Sequence, residues 1–432
     1  MTSDLFWSVC ETLLVNLGDV MQNNFMKIAT TRDQASAFDA QDPLAHVRVH
    51  FKLPEDVTYL VGHSLGPPHS AALERLNHCA TESWAKGLVG SWNSAGWFDL
   101  AAKLGGKLSS LIGAEQDEVM VTDTVSVNLF KLAASALPLT QGARQICVDA
   151  EEFPTDQYVA EAFADLIGVS CRRVQPGEDF GALSDGGVYI KSAVNYRSGE
   201  RVDMKAYELK ARESGALLLW DLSHATGVIA LDMKKAGAKL ATGCTYKYLN
   251  GGPGAPSFIY AKKSLLPKLY TPLPGWMGHA APFEFEGRYR PRESAARFAS
   301  GTPPILSLSA LQGALEAFEG ADMKILEAKA GALGDLCIAR AEEIGLEVIS
   351  PRVASKRGGH VSLKVKNGYP VTRALHAKGF QSDFRTPDTI RFGFSPLYLR
   401  YVDVWDLMET LSNIVETKSW DAPEFHARSE VT

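Results

Sequence analysis

The chain has 432 residues, 46% hydrophobic and 22% charged, enough to bury a large core and to divide into one large and one smaller domain. Its formal net charge of -6 is spread along the sequence, without a Lys/Arg stripe interleaved with aromatics, which argues against nucleic acid as a partner. No apolar run approaches the ~18 residues of a bilayer span, and the N-terminus lacks the positive start of a signal peptide.

Cys10, Cys79, Cys147, Cys171, Cys244 and Cys337 stand far apart, with no Cys-x-x-Cys pair and no metal-ligand spacing. This favours a reducing cytoplasm and predicts no bound metal.

In chain order, residues 1–28 read as a poorly specified extension, where Leu5, Leu13 and Val15 sit among Asp4, Glu11 and Asp19. Thr58 to Leu60 predicts a short strand, and His69 to Lys86 an amphipathic stretch. The central region then alternates helix-length segments with short apolar runs at Ile146 to Val148, Val188 to Ile190, Leu217 to Trp220 and Ser257 to Tyr260. Short buried runs separated by crossovers predict an α/β domain with a mostly parallel sheet covered by helices on both faces. From about residue 322 the pattern changes: a helix over Met323 to Ile344 precedes Leu346 to Ile349, His360 to Val365 and Ile390 to Phe394, a smaller α+β domain. The expected division is 1–28, 29–320 and 321–432.

Gly62-His63-Ser64-Leu65-Gly66 behind the Thr58 run fits the Gly-x-Ser-x-Gly turn of a serine hydrolase. That turn needs a helix beginning at the serine, yet Pro67 and Pro68 follow at once, and the second proline pushes the first out of the helical region. Too few residues precede Ser64 to build the upstream strands, so the hydrolase reading is a minor alternative.

The stronger chemistry begins at Trp220-Asp221-Leu222-Ser223-His224, an apolar strand ending on an acid, where parallel sheets bind ligands. A lone aspartate there is more often a helix cap. Further on, Gly243-Cys244-Thr245-Tyr246-Lys247-Tyr248-Leu249-Asn250-Gly251-Gly252-Pro253-Gly254 sets a lysine between aromatics before a glycine-rich turn. A surface lysine is the bland reading, but the aromatics suit an amine that must condense with an aldehyde. Together, an acid for a pyridinium nitrogen and a lysine for an aldehyde are what a protein supplies to pyridoxal 5'-phosphate. Thr122-Asp123-Thr124-Val125-Ser126-Val127-Asn128, opening a helical run, offers free N–H groups and a helix dipole to a phosphate. Glu152-Phe153-Pro154-Thr155-Asp156 follows a strand with a ring and a carboxylate, though alone it would be an ordinary βα loop.

With these residues in view, the chain resembles the kynureninase family, fold-type I pyridoxal phosphate enzymes related to the class V aminotransferases. The resemblance runs from about Phe38 to Thr432. It is carried by Ser91-Trp92-Asn93-Ser94-Ala95-Gly96-Trp97, Phe153 to Asp156, Asn195-Tyr196, Asp221 to His224, Tyr246 to Gly254, Gly275-Trp276-Met277-Gly278-His279 and Ile390-Arg391-Phe392-Gly393-Phe394. It implies that Lys247 is the Schiff-base lysine, that Asp221 and His224 face the ring nitrogen side, and that Phe153 stacks on the ring. Phosphate and ring contacts fall to Val125, Ser126, Asp156, Ser192 and Tyr246, with Trp276 and Thr302 reaching in from the partner of a homodimer. Arg391 would bind the substrate α-carboxylate and Trp92 line the aryl pocket. The implied reaction is hydrolysis of L-kynurenine, or of 3-hydroxy-L-kynurenine, to the anthranilate and L-alanine, with Lys247 moving the α-proton and Tyr246 serving as acid and base.

His63 and Val61 stand where the family usually carries an asparagine and an acid, and Ala193 where it often has histidine. These departures bear on substrate contacts rather than on Lys247, Asp221 or Arg391. Another class V activity, desulfuration or transamination, is the nearest rival. A desulfurase needs a mobile cysteine, and neither Cys337 in a helical stretch nor Cys244 before Lys247 suits that.

Overall fold

A computed structural model describes residues 28–427, and the N-terminal extension read at 1–28 falls, but for Ile28, outside them. The chain forms two compact units, one of residues 50–53 and 62–319, the other of residues 28–49, 54–61 and the segment from 320 onward. Among the described residues no helix is long and apolar enough to cross a membrane.

The larger unit is built on seven strands: β1 (Val119–Val121), β2 (Gln145–Asp149), β3 (Ser170–Val174), β4 (Val188–Ser192), β5 (Leu217–Asp221), β6 (Leu240–Gly243) and β7 (Phe258–Ala261), in the order β1-β7-β6-β5-β4-β2-β3. Strands β3, β2, β4, β5 and β6 pair in parallel, whereas β7 runs antiparallel to both β6 and β1. Central β4 and β5 are buried along their whole length, which is why Val188 to Ile190 and Leu217 to Trp220 are continuous apolar runs. Edge strand β3 carries Arg172 and Arg173 and is mostly open to solvent on its outer residues. Charges on an edge keep it from pairing with another chain.

Helices α1 (Ser70–His78), α2 (Trp97–Ile112), α3 (Val125–Ala136), α4 (Pro154–Ile167), α5 (Met204–Ser214) and α6 (Ile305–Ala314) accompany this sheet. In α2, Trp97, Leu100, Ala101, Leu104 and Leu108 recur at helical spacing and are buried. Thr124 caps α3 by accepting from the Val127 amide, and Pro154 occupies the first turn of α4, where its missing N–H costs nothing.

The smaller unit contains a four-stranded antiparallel sheet of β8 (Glu347–Val348), β9 (His360–Lys364), β10 (Asp383–Arg385) and β11 (Thr389–Gly393), ordered β10-β11-β9-β8. Its helices are α7 (Met323–Glu343), α8 (Gly368–Ala377) and α9 (Tyr401–Thr417). Strand alternation puts Val361, Leu363, Phe384, Ile390 and Phe392 on one face, where Tyr369 of α8 meets Phe384 edge-on. The other face holds Ser362, Asp383 and Arg391. The predicted strand at Thr58 belongs to this unit, since Thr58–Tyr59 pairs in parallel with Phe380–Gln381.

The short strands β1, β3 and β10 and the two-residue strand Phe380–Gln381 escaped the sequence reading: β3 and β10 are interrupted by charge, and β1 is three residues long.

Candidate active site

The end of β5 with its following loop, the Gly62 to Gly66 turn and the first turn of α4 all reach Lys247 or its loop. Strand β5 ends on Asp221, whose Oδ1 accepts from the Ser223 amide (2.8 Å) and hydroxyl (2.5 Å). The Ser223 hydroxyl in turn accepts from the Cys244 amide at 3.1 Å, so the loop after β5 is tied to the loop that carries the lysine. The next turn of chain after Ser223 brings His224, whose Nε2 lies 3.0 Å from Lys247 Nζ. Buried His63 presents its ring 6.2 Å from that of His224.

The Gly62 to Gly66 turn that resembles a hydrolase elbow is followed by no helix until Ser70. It serves instead as a clamp on the lysine loop. Gly66 N–H donates to the Tyr246 carbonyl at 2.8 Å, and a Cβ at position 66 would lie 2.3 Å from both the Lys247 carbonyl and Asn250 Oδ1. Only glycine permits that approach.

The turn between β2 and α4 contributes acids. Asp156, at the third position of α4, is buried, and its Oδ2 has no hydrogen-bond partner. Glu152 accepts from both the Ser192 amide (2.6 Å) and hydroxyl (2.5 Å) at the end of β4. Burial pushes the carboxyl of Glu152 up to about 7 against those two bonds. Burial first, then the charges of Asp221 and Glu152, raise Asp156 well above the usual range, with Lys247 opposing. Asp221 is likewise raised by burial and lowered in part by Lys247. Asp156 thus feels the charges of Asp221, Glu152 and Lys247, while Glu152 itself faces Lys191 and Asp149. Burial also raises the phenol of Tyr246, which stays protonated and is a donor to whatever binds beside it.

The start of α3 turns the Val125 and Ser126 N–H groups outward from the helix, with the positive end of its dipole. Thr122, Asp123 and Thr124 line a cavity of about 290 Å³ together with Gly254, Met277 and Thr302 of the same chain. Asp123 is held there by buried Lys131, which also donates to the Phe298 carbonyl at 2.6 Å. Phe153 is 43% exposed and meets Tyr196 edge-on. Trp92 lies edge-on to Trp97 and to Trp276, which also contacts Phe283. Arg391 belongs to the smaller unit, where Asp383 holds its guanidinium.

These residues fit a phosphorylated pyridine aldehyde. The orphaned Asp156 Oδ2 and the strand-end Asp221 supply acids for the ring, Lys247 the amine, Phe153 an open ring face, and the α3 start an anion site. Cys244 and Cys337 do not suit a persulfide chemistry: burial raises the thiol of Cys244 and pushes that of Cys337 up to about 12.

Sequence reasoning singled out neither Glu152 as a partner of Ser192, nor Lys131, nor Asp383. A lysine on the buried side of α3 was the available signal for Lys131, and the alternating Asp-Phe-Arg of residues 383–385 was that for Asp383.

Solved structures share this architecture. A cysteine desulfurase from Thermococcus onnurineus NA1 superposes with a TM-score of 0.74 at 17% identity, covering 86% of this chain and 98% of its own. A C-DES mutant with glycine covalently linked to its PLP cofactor gives 0.74 at 16% identity, over 85% and 99% of the two chains. The molecule therefore has the fold of the fold-type I pyridoxal phosphate enzymes.

Closer relatives narrow the class. Residues 326–411 match the kynureninase C-terminal domain. Kynureninase of Pseudomonas fluorescens is 43% identical over 415 residues, 93% of this chain and 100% of the relative, and that of Burkholderia mallei (strain SAVP1) is 42% identical over 414. The chain belongs to the kynureninase family.

Proposed function

We propose that the protein hydrolyses the side chain of L-kynurenine, releasing anthranilate and L-alanine, with pyridoxal phosphate bound through Lys247. The observation that carries this is Lys247 Nζ at 3.0 Å from His224 Nε2, beside the strand-end acid Asp221, in a chain of this family. Bound there, the cofactor supplies the electron sink for breaking bonds at the substrate's α and β carbons.

The protein's own groups do the rest. Lys247 Nζ takes and returns the α-proton, and His224 Nε2 keeps that amine oriented. Asp221, fixed through Oδ1 by Ser223, holds negative charge against the ring nitrogen. The protonated phenol of Tyr246 donates to the hydrolytic site, and the Val125 and Ser126 N–H groups hold the phosphate. Phe153 covers the ring, Trp92 bounds the aryl group and Arg391 takes the carboxylate. His63, packed toward His224, is the group to discriminate kynurenine from its 3-hydroxy derivative.

Incubation with L-kynurenine should release anthranilate and alanine in equal amounts, and Ser64→Ala should keep most of that activity. Pyruvate, or an aryl keto acid without anthranilate, would refute the reading.

A homodimer with shared sites follows from the same reading. Trp276 is 38% exposed, Phe283 and Phe285 are more so, and Thr302 lies open, a costly surface for a monomer. Mixing inactive Lys247→Ala with an impaired Trp276→Ala, Thr302→Ala double variant should restore activity through one intact site per mixed dimer. No recovery despite proven subunit exchange would put both residues in their own chain's site or outside it.

A further inference from the structure

Glu152 is a buried acid of the larger unit with no part in the reaction so far. Its carboxyl faces Ser192, which closes β4 in register with Asp221 at the end of β5. Oε1 accepts from the Ser192 amide at 2.6 Å, a donor fixed by the backbone. Oε2 lies 2.5 Å from the Ser192 hydroxyl oxygen, and there either side can supply the one hydrogen between them. A carboxylate must receive it from the serine, whose oxygen then presents only lone pairs to the site. A neutral carboxyl donates its own proton to that oxygen and releases the serine hydrogen to point elsewhere.

The surroundings keep Glu152 near that change. Asp149 faces it from the end of β2 and Lys191 from β4, and Asp156 in the first turn of α4 feels its charge. The cation is already matched by other acids, since Lys191 Nζ lies 2.6 Å from Asp149 and 2.8 Å from Asp179. Two acids therefore oppose the ionised form of Glu152, while the lysine that would favour it is engaged elsewhere. Burial adds to this, and the carboxyl is pushed up to about 7. Both forms are then within reach of neutral pH.

We propose that Glu152 is a positioning residue for the cofactor: as a neutral acid it turns the Ser192 hydroxyl hydrogen toward an oxygen of pyridoxal phosphate, and as a carboxylate it turns that hydrogen away. The proposal deepens the reading of Ser192 as a cofactor contact and rests on it.

The test titrates the cofactor-free full chain with pyridoxal phosphate and reads the Kd from the visible band of the bound cofactor, at about pH 6 and about pH 8.5, on either side of the Glu152 transition. Glu152→Gln is a permanent copy of the neutral acid, because its carbonyl takes the Ser192 amide and its NH2 donates to the Ser192 oxygen at every pH. At the lower pH the unaltered protein and Glu152→Gln should bind within about twofold of each other. At the higher pH the unaltered protein should bind about tenfold more weakly than the variant, the size of one hydrogen bond to a charged oxygen. Comparison at equal pH cancels the cofactor's own titration. With Ser192→Ala added to both proteins, the difference should vanish. Ser192→Ala alone should weaken binding about tenfold at the lower pH and little at the higher, which carries the test if the glutamine variant does not fold. A ratio between the unaltered protein and Glu152→Gln that does not move with pH would overturn the proposal. So would a difference that survives Ser192→Ala, which would mean that the charge of Glu152 acts on the cofactor directly. Ser192→Ala without effect at either pH would overturn it by removing Ser192 from the cofactor site, with Lys247 still the anchor. An unaltered protein that develops no band at all would overturn the proposed function as well.

Discussion

Lys329 in the smaller unit and Lys247 in the larger are both lodged among buried groups, and their surroundings treat them oppositely. Lys329 is 2% exposed, with Nζ 2.6 Å from Asp42 Oδ2 and 2.6 Å from the Pro396 carbonyl. Its charge is matched and its position is fixed. Lys247 acts on two buried carboxyls, Asp156 and Asp221, yet among the described residues neither comes within ion-pair distance of its Nζ. Burial raises both acids, and Ser223 occupies an oxygen of Asp221. A lysine given a carboxylate is a staple between elements. One kept at a distance from carboxylates, against an imidazole, is left able to react.

The comparison fails first at Lys247 itself. Lys247→Ala should lower turnover about 10³-fold or more, the loss of an acid–base group together with the cofactor's anchor, with little change in the unfolding midpoint of the cofactor-free protein. Anthranilate release and denaturant unfolding measure the two. Lys329→Met should do the reverse. It leaves Asp42 buried without its partner and should cost about 3–5 kcal/mol of stability, while the molecules still folded turn over normally. A Lys329→Met protein of full stability and no activity would erase the distinction.

The smallest effect concerns the acids. The Glu152 carboxyl is pushed from 4.5 up to about 7 in the folded state, so folding retains a proton that the unfolded chain releases. Its contribution to stability is full below about pH 4.5 and is lost as pH rises through about 7. Over that interval the cofactor-free protein should lose on the order of 2 kcal/mol that Glu152→Gln does not lose. Equal pH slopes in the two proteins would mean that Glu152 is ionised under the two Ser192 bonds.

Much of this site was legible because its residues sit at the ends of central strands. A strand buried on both faces must be apolar throughout, so an acid closing it, as Asp221 closes β5, stands out. The lysine between aromatics and the small polar residues opening α3 were readable for the same reason: each departs from a regular pattern at a known place. Edge strand β3 was not, because Ser170, Arg172 and Arg173 satisfy solvent rather than a core. Strand β10 was hidden by Asp383 and Arg385, charges that read as a surface until β11 brings Arg391 opposite Asp383. The bond between Glu152 and Ser192 joins two segments forty positions apart, and no local periodicity encodes it.

The clamp at Gly66 gives access to motion that neither activity nor stability reports. Its amide proton is shielded by the Tyr246 carbonyl, 2.8 Å away, and the backbone there is too close to Lys247 and Asn250 for one segment to lift without the other. Deuterium enters at Gly66 only when the lysine loop opens, so the exchange rate of that one amide clocks the opening. Anchoring Lys247 through the cofactor slows the clock, and the difference between loaded and empty protein gives the free energy by which the loop is held shut.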